Sequence, residues 1–425
     1  MKWLTEEIAT GSYNEVSKKV LDPDAVILDV RDLVDKSGND VDYVKSRIDE
    51  GISILKKNQK LIVCCDYGLS RSNSIAIGII KKTKNISFLE AFRIARQKID
   101  ESSVKVEMLD TVYRALHVNH GLKNSSDKSL KLCITGAGGF LGRNLIEKIG
   151  TEVDVFGIQS REIDLLTNVI ELDLFVKSHQ VNSILHLANP RVFTNTKSLG
   201  DTLVMLKNVL DVCRNNNVKL IFLSGWEIYS GYRDEFLSAD ENLLPNPKGT
   251  YGETKWLCEL LINQYIRNYG INSVILRSGP VYGAGGEKPK FLYNFIDKSL
   301  KGEKIVTHTY LNGDPALDLL YIDDLVTLLK KAIVADFAGE INIGTGILNS
   351  TYSIAEIICE LNNSKSEISR VSIKDYVGNI SMNYSKAKRV YGWTPEVTLK
   401  EGLKKIIESY GKSDRKAAAG DLHLG

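Results

Sequence analysis

The chain has 425 residues, 43% hydrophobic and 25% charged, with a formal net charge of +2. At about 100–200 residues per domain, that length predicts two or three domains with sizeable cores. The balanced charge leaves no electrostatic footprint for nucleic acid or a membrane surface, and no apolar run reaches the roughly 18–20 residues that span a bilayer.

The opening stretch "MKWLTEEIATGSYNE" is polar where a secretory leader is apolar. The six cysteines, Cys64, Cys65, Cys133, Cys213, Cys258 and Cys359, show neither metal-ligand spacing nor a disulfide framework. No metal site is expected, and the expected compartment is the cytoplasm. From Ala25, "AVILDVRD" reads as a short buried strand, and "LIVCC" as a second. "SRSNSIAIGIIKK" turns into a helix, and "SFLEAFRIARQKI" has helical spacing. The polar segment 119–130 reads as a linker between a domain at 1–118 and another at 131–411.

Beyond the linker, "LKLCITG", "VDVFGI", "SILHLAN", "VKLIFLSG" and "NSVILRSG" are apolar strand-like runs. They alternate with helical segments, including "VIELDLFVKSHQV" and "TLVMLKNVLDVCRNN". Such alternation predicts βαβ units and a parallel sheet covered on both faces. After Gly283 the strand signals thin out, which predicts a smaller cap, and 412–425 reads as a disordered tail.

Two stretches carry chemistry. "CCDYGLSRS", Cys64–Ser72, follows a strand and opens a helix. That geometry aims backbone N–H groups and a helix N-terminus at one spot, an anion site. The same field lowers the pKa of Cys65, Arg71 offers a planar fork to phosphoryl oxygens, and Ser72 can donate to the sulfur. The loop resembles the dual-specificity branch of the protein tyrosine phosphatases, whose Cys-x-x-Gly-x-Ser-Arg-Ser pattern Cys65, Gly68, Ser70, Arg71 and Ser72 match. The resemblance implies a phosphocysteine intermediate, a phosphorylated substrate and an upstream aspartic acid that protonates the leaving oxygen. "LDVRD" offers Asp29 and Asp32. Asp32 is preferred, because Asp29 alternates with the buried face of its strand. Cys64 stands where these enzymes carry histidine, and a vicinal Cys64–Cys65 disulfide would be strained.

The second stretch, "TGAGGFLG", places Gly136, Gly139 and Gly142 between a strand and a helix. There, glycines permit the tight turn and the close approach of a pyrophosphate. "TYGETK" puts Tyr251 and Lys255 on one helix face, where an ammonium can lower the tyrosine pKa. Together with "LHLAN", "RSGPVYG", "YIDDL", "INIGTG" and "YGWTP", these stretches resemble the extended short-chain dehydrogenases, the NAD-dependent epimerase/dehydratase family. The whole then reads as α/β: a phosphatase-like domain followed by a Rossmann doubly wound parallel sheet with a smaller C-terminal substrate-binding cap.

The resemblance implies a nucleotide-sugar or sugar-phosphate substrate, a homodimer as an open expectation, and a dinucleotide held by Gly136, Gly139, Phe140, Leu141, Gly142, Asp164, Leu165, Ala188 and Lys255. Where NAD enzymes place a carboxylate at the end of the second strand, this chain has Gln159, Ser160 and Arg161. Arg161 suits a 2′-phosphate, so NADP is favoured, with NAD the alternative. The family's substrate-binding Ser or Thr is replaced by Gly225, for which Ser224 is a candidate substitute. Glu227 is an acid/base candidate, and Leu317 stands where the family often has a diphosphate-binding arginine. The expected function is a Cys-dependent phosphatase joined to an NADP(H)-linked reductase or epimerase. The alternative is a dinucleotide-sensing domain that regulates the phosphatase.

Overall fold

The computed structural model describes residues 1–18, 23–100, 103–117, 130–190, 195–234, 236–286 and 290–420, without the side chains of 411–420. Apart from Leu130, the expected linker lies outside these residues. The chain forms two compact units. One comprises Met1–Lys128 and Thr167–Gln180; the other comprises Ser129–Leu166 and Val181–Gly425.

The first unit has a four-stranded sheet in the order Lys2–Trp3, Ile8–Ser12, Lys60–Cys65, Ala25–Asp29. The first pair is antiparallel and the others are parallel. "LIVCC" is buried throughout, as a strand covered on both faces should be. Helices Val41–Leu55, Ser70–Lys84, Phe88–Arg96 and Val106–His117 follow. Ser87 and Glu90 close a capping box at the start of the third of these, so "SFLEAF" begins its helix where the sequence indicates. The core includes Val63, Ile75, Ile79, Phe92 and Met108, joined by Ile170 and Leu174 of helix Val169–His179.

That last helix departs from the expected boundary at residue 118. It stands in sequence between two strands of the second unit's sheet but belongs to the first unit. Its burial and its ion pairs account for the assignment. Ile170, Leu172, Leu174 and Val176 are all buried, and so are Glu171 and Asp173, so much of its circumference is enclosed. Glu171 pairs with both Arg93 and Arg96, and Lys177 reaches Asp110 at 2.6 Å and Asp173 at 2.7 Å.

The second unit is built on six parallel strands in the order Gly339–Ile343, Ser273–Ser278, Lys219–Gly225, Ser183–His186, Lys131–Thr135, Asp154–Ile158. The parallel sheet follows the sequence reading; its edge strand does not. Gly339–Ile343 comes from the region after Gly283, which was expected to form only the cap, and returns to pair with Ser273–Ser278. The final helix spans Leu399–Gly420, so the tail expected to be disordered from 412 continues as helix to Gly420. Lysine, arginine and three consecutive alanines in "KSDRKAAAG" favour that continuation. Among the described residues, no helix is long and apolar enough to cross a membrane.

Candidate functional sites

In the first unit, strand Lys60–Cys65 delivers Cys65 to a turn that opens helix Ser70–Lys84. Gly68 makes the turn possible: its φ is +67°, and a Cβ there would stand 2.3 Å from Ser12 N and 2.4 Å from Gly11 C. Cys65 and Ser72 share a hydrogen bond at 3.4 Å. Burial pushes the Cys65 thiol up, but hydrogen bonds from the Ser72 hydroxyl and from the backbone N–H groups of Ser72, Leu69 and Gly68 outweigh it, leaving Cys65 below the usual thiol range. Its neighbour behaves oppositely: burial, aided by Asp29, pushes Cys64 up to about 11. Both thiols are free, with no disulfide between them.

Arg71 is 9% exposed and donates through Nη1 to the carbonyls of Arg31 and Leu33, at 3.1 and 2.9 Å. These residues flank Asp32, so the arginine ties the Asp32 segment to the cradle. Nη2 donates to Asp66. The Asp32 carboxylate accepts from Tyr43 Oη and lies 3.7 Å from Arg47 Nε. Asp29 instead forks onto Arg31, an ion pair that holds its carboxyl below the usual carboxylate range.

In the second unit, Gly136 has φ +70°, and a Cβ there would meet Ala188 N at 2.8 Å and Leu187 C at 2.9 Å. A Cβ on Gly142 would meet the Gly136 carbonyl oxygen at 2.6 Å. Gly139 caps helix Phe140–Ile149, which carries Leu141. The loop therefore lies directly against the residues after strand Ser183–His186, Ala188 among them, with bare backbone facing the helix start. Such a cradle fits a dinucleotide pyrophosphate. The second strand ends at Ile158, followed by Gln159, and Arg161 is exposed. The turn returns a carboxylate to the strand end, where Glu162 accepts from Gln159 N at 2.9 Å. Asp164 accepts from Leu166 N at 3.0 Å, and Leu165 is buried with its carbonyl bound by Asn208 at 2.8 Å.

Tyr251 and Lys255 stand on helix Thr250–Tyr269. They border a small cavity of about 10 Å³ together with Asn189, Ser198, Leu199, Thr202 and Thr254. The Lys255 ammonium lies 5.7 Å from the Tyr251 ring centroid and donates to the Leu223 carbonyl at 2.9 Å. Burial holds Lys255 below its ordinary value. Burial, then Glu227 and Cys258, push Tyr251 above its own, contrary to the expected lowering by Lys255. The lysine's donation to a carbonyl and the desolvation of the phenol account for the difference.

Ser224, the candidate substitute for the hydroxyl missing at Gly225, is engaged by a buried carboxylate. Its Oγ donates to Glu259 at 2.5 Å, and Glu259 pairs with Arg277 at 2.7 Å. Arg277 is the Ser224 partner on the adjacent strand, and it also donates to Tyr229 Oη at 2.8 Å. Side chains alternate along a strand, so a serine committed to that network faces away from the side on which residue 225 would project.

A family model described as "NAD dependent epimerase/dehydratase family" matches residues 132–344, half of the chain. The chain belongs to that family. UDP-glucuronic acid decarboxylase 6 of Arabidopsis thaliana is 27% identical over 68% of this chain and 92% of its own. UDP-glucuronic acid 4-epimerase from Bacillus cereus, solved in complex with UDP-glucuronic acid and NAD, has a TM-score of 0.57 and 22% identity. That alignment covers 67% of this chain and all of the other. RMD from Pseudomonas aeruginosa, complexed with NADPH, has a TM-score of 0.60 and 18% identity over 67% of this chain and all of its own.

Sequence reasoning missed two features of this epimerase/dehydratase unit. Glu162 escaped because it reaches the strand end by a turn. Glu259 carried a readable signal, since 251, 255 and 259 are successive i,i+4 positions on one helix face. Leu317, in place of the diphosphate-binding arginine, lies on a short strand paired with Asn349–Ser350. Next to it, Ala316 lines a cleft of about 570 Å³ with Asp234, Phe236, Asn312, Gly313, Asp314, Leu348 and Asn379.

Proposed function

We propose that the chain is bifunctional: a Cys-dependent phosphatase in the first unit, and an NADP(H)-linked nucleotide-sugar reductase or epimerase in the second. The observation that carries the second activity is half-buried Tyr251 beside buried Lys255, in a unit whose glycine cradle admits no Cβ at Gly136 or Gly142. A bound dinucleotide would supply or accept a hydride at a sugar carbon. Tyr251 gives a proton to the oxygen on that carbon, or takes one from it. Lys255 would hold the ribose, and exposed Arg161 would meet a 2′-phosphate, which supports NADP(H) over NAD(H). The relatives act on or bind UDP-sugars, and that supports a nucleotide sugar as substrate.

In the first unit, the low-pKa Cys65 attacks phosphorus and the ester P–O bond breaks. Asp32 protonates the leaving oxygen, and water then hydrolyses the phosphocysteine. The hydrogen-bonded Cys65–Ser72 pair supports this reading.

Incubation with UDP-sugars and each dinucleotide tests the second activity: a reductase changes absorbance at 340 nm, whereas an epimerase returns the hydride to the sugar and is read by chromatography of the sugar products. Turnover is expected in the wild type, and its loss in Tyr251→Phe. Hydrolysis of an aryl phosphate tests the first, with loss expected in Cys65→Ser. Two observations favour a second reading, a dinucleotide sensor regulating the phosphatase: the phenol of Tyr251 is held above its ordinary range, and Gly225 brings no hydroxyl. Tight dinucleotide binding without turnover of any sugar would support the sensor.

A further inference from the structure

Gly225 leaves a gap in the substrate-binding set, and the structure fills it with a neighbouring side chain. A Cβ built at Gly225 would stand 2.2 Å from Glu227 Oε2 and 3.3 Å from its Cδ. The Glu227 carboxyl thus folds back over the glycine, into the space a serine or threonine side chain would occupy. In this arrangement a larger residue at 225 and this carboxyl exclude each other. The fold fixes the backbone that carries this carboxyl. Gly225 precedes the short helix Trp226–Tyr229, and a Cβ on Gly252, next to Tyr251, would lie 2.5 Å from the Glu227 carbonyl oxygen. The Glu227 backbone therefore packs against the start of the Tyr251 helix.

We propose that the Glu227 carboxyl replaces the absent hydroxyl, donating a hydrogen bond to the same sugar oxygen with which Tyr251 exchanges its proton. The proposal rests on the reductase or epimerase reading above. A carboxyl must be protonated to donate, and burial raises the Glu227 pKa, outweighing the hydrogen bond from its own backbone N–H and then the charge of Lys255. The alternative donor, Ser224, is committed to Glu259.

The test uses the full chain, with UDP-glucose and UDP-glucuronic acid as probes and NAD+ or NADP+ present; net oxidation is read as absorbance at 340 nm and redox-neutral epimerisation by chromatography of the sugar products. Glu227→Ala should lower kcat about 100-fold, the usual scale for removing one donor at a reacting oxygen. Dinucleotide affinity should not change. Glu227→Gln keeps an N–H donor in the same shape and should retain most of the rate. The double variant Glu227→Ala with Gly225→Ser returns a hydroxyl to the emptied space and should recover at least about tenfold. Rescue of that kind is not expected if Glu227 only supports the fold, and thermal melts of each variant check folding separately. Full activity in Glu227→Ala, or a Glu227→Gln rate as low as that of Glu227→Ala, would overturn the proposal while leaving the reductase reading intact. A wild type that binds dinucleotide but turns over no sugar would overturn both.

Discussion

Cys64 and Cys65 are adjacent, share a strand and are both buried, yet their thiols are driven in opposite directions. The difference lies in what surrounds the sulfur: Ser72 and three turn N–H groups for Cys65, and the Asp29 carboxylate for Cys64. Near neutral pH the thiolate fraction of Cys65 should exceed that of an ordinary cysteine. Cys64, pushed up to about 11, should remain protonated. Since the thiolate is the nucleophile, iodoacetamide at pH 7 should label Cys65 and spare Cys64, with Cys65 labelling rising toward its maximum below the pH at which a free cysteine does so. Peptide mass spectrometry reads the site, and labelling confined to Cys64 would refute the assignment. Arg161 and Glu162 pose a similar question of neighbours with opposite charge. Arg161 is exposed, whereas Glu162 caps Gln159 N. Arg161→Ala should therefore weaken NADPH by about 1–3 kcal/mol, the scale of a charge-assisted contact, and leave NADH nearly unchanged. Titration calorimetry showing tighter NADH than NADPH binding in the wild type would reverse the preference.

Both candidate sites are strand–turn–helix elements, and that is why they were legible. The glycine spacing, the apolar run before it and the helical pattern after it are local in sequence. What could not be read were the groups that arrive from elsewhere, Glu162 by a turn and Tyr43 and Arg47 around Asp32, and the path by which Glu227, named as a candidate, folds back over Gly225. Side-chain direction decides those positions, and spacing does not encode it. The turns themselves leave little tolerance. At Gly136 an alanine must adopt a left-handed φ, which costs about 1–2 kcal/mol, and must also push against Ala188 backbone at 2.8 Å. Gly136→Ala should lower Tm and abolish dinucleotide binding together. Gly68→Ala should do the same to aryl phosphatase activity, because its obstacle, Ser12 N at 2.3 Å, is also backbone. Dinucleotide binding retained in Gly136→Ala would show that the loop can relax, and would weaken the cradle assignment.

At the scale of the molecule, each candidate site draws its residues from one unit, but the first unit is not one continuous stretch of chain. The expected cut at residue 118 follows composition, whereas compactness follows packing, and packing adds 167–180 to the first unit. Nothing local distinguishes "VIELDLFVKSHQV" from an ordinary crossover helix, since its partners Phe92, Arg93 and Arg96 lie more than seventy residues earlier. The consequence is testable. A fragment of residues 1–128 loses Ile170 and Leu174 from its core, and each large aliphatic side chain is worth about 1.5–3 kcal/mol of burial. It also leaves Arg93 and Arg96 without Glu171. Against a typical domain stability of about 5–15 kcal/mol, that loss is a large fraction. The fragment should therefore unfold at distinctly lower urea than the same fragment with residues 167–180 appended through a flexible linker. Glu171→Ala in the appended version should give back much of the gain, because both arginines lose their buried carboxylate. Equal midpoints with and without the helix would show that residues 1–128 complete their own core, and the helix would then contribute nothing to the stability of the first unit.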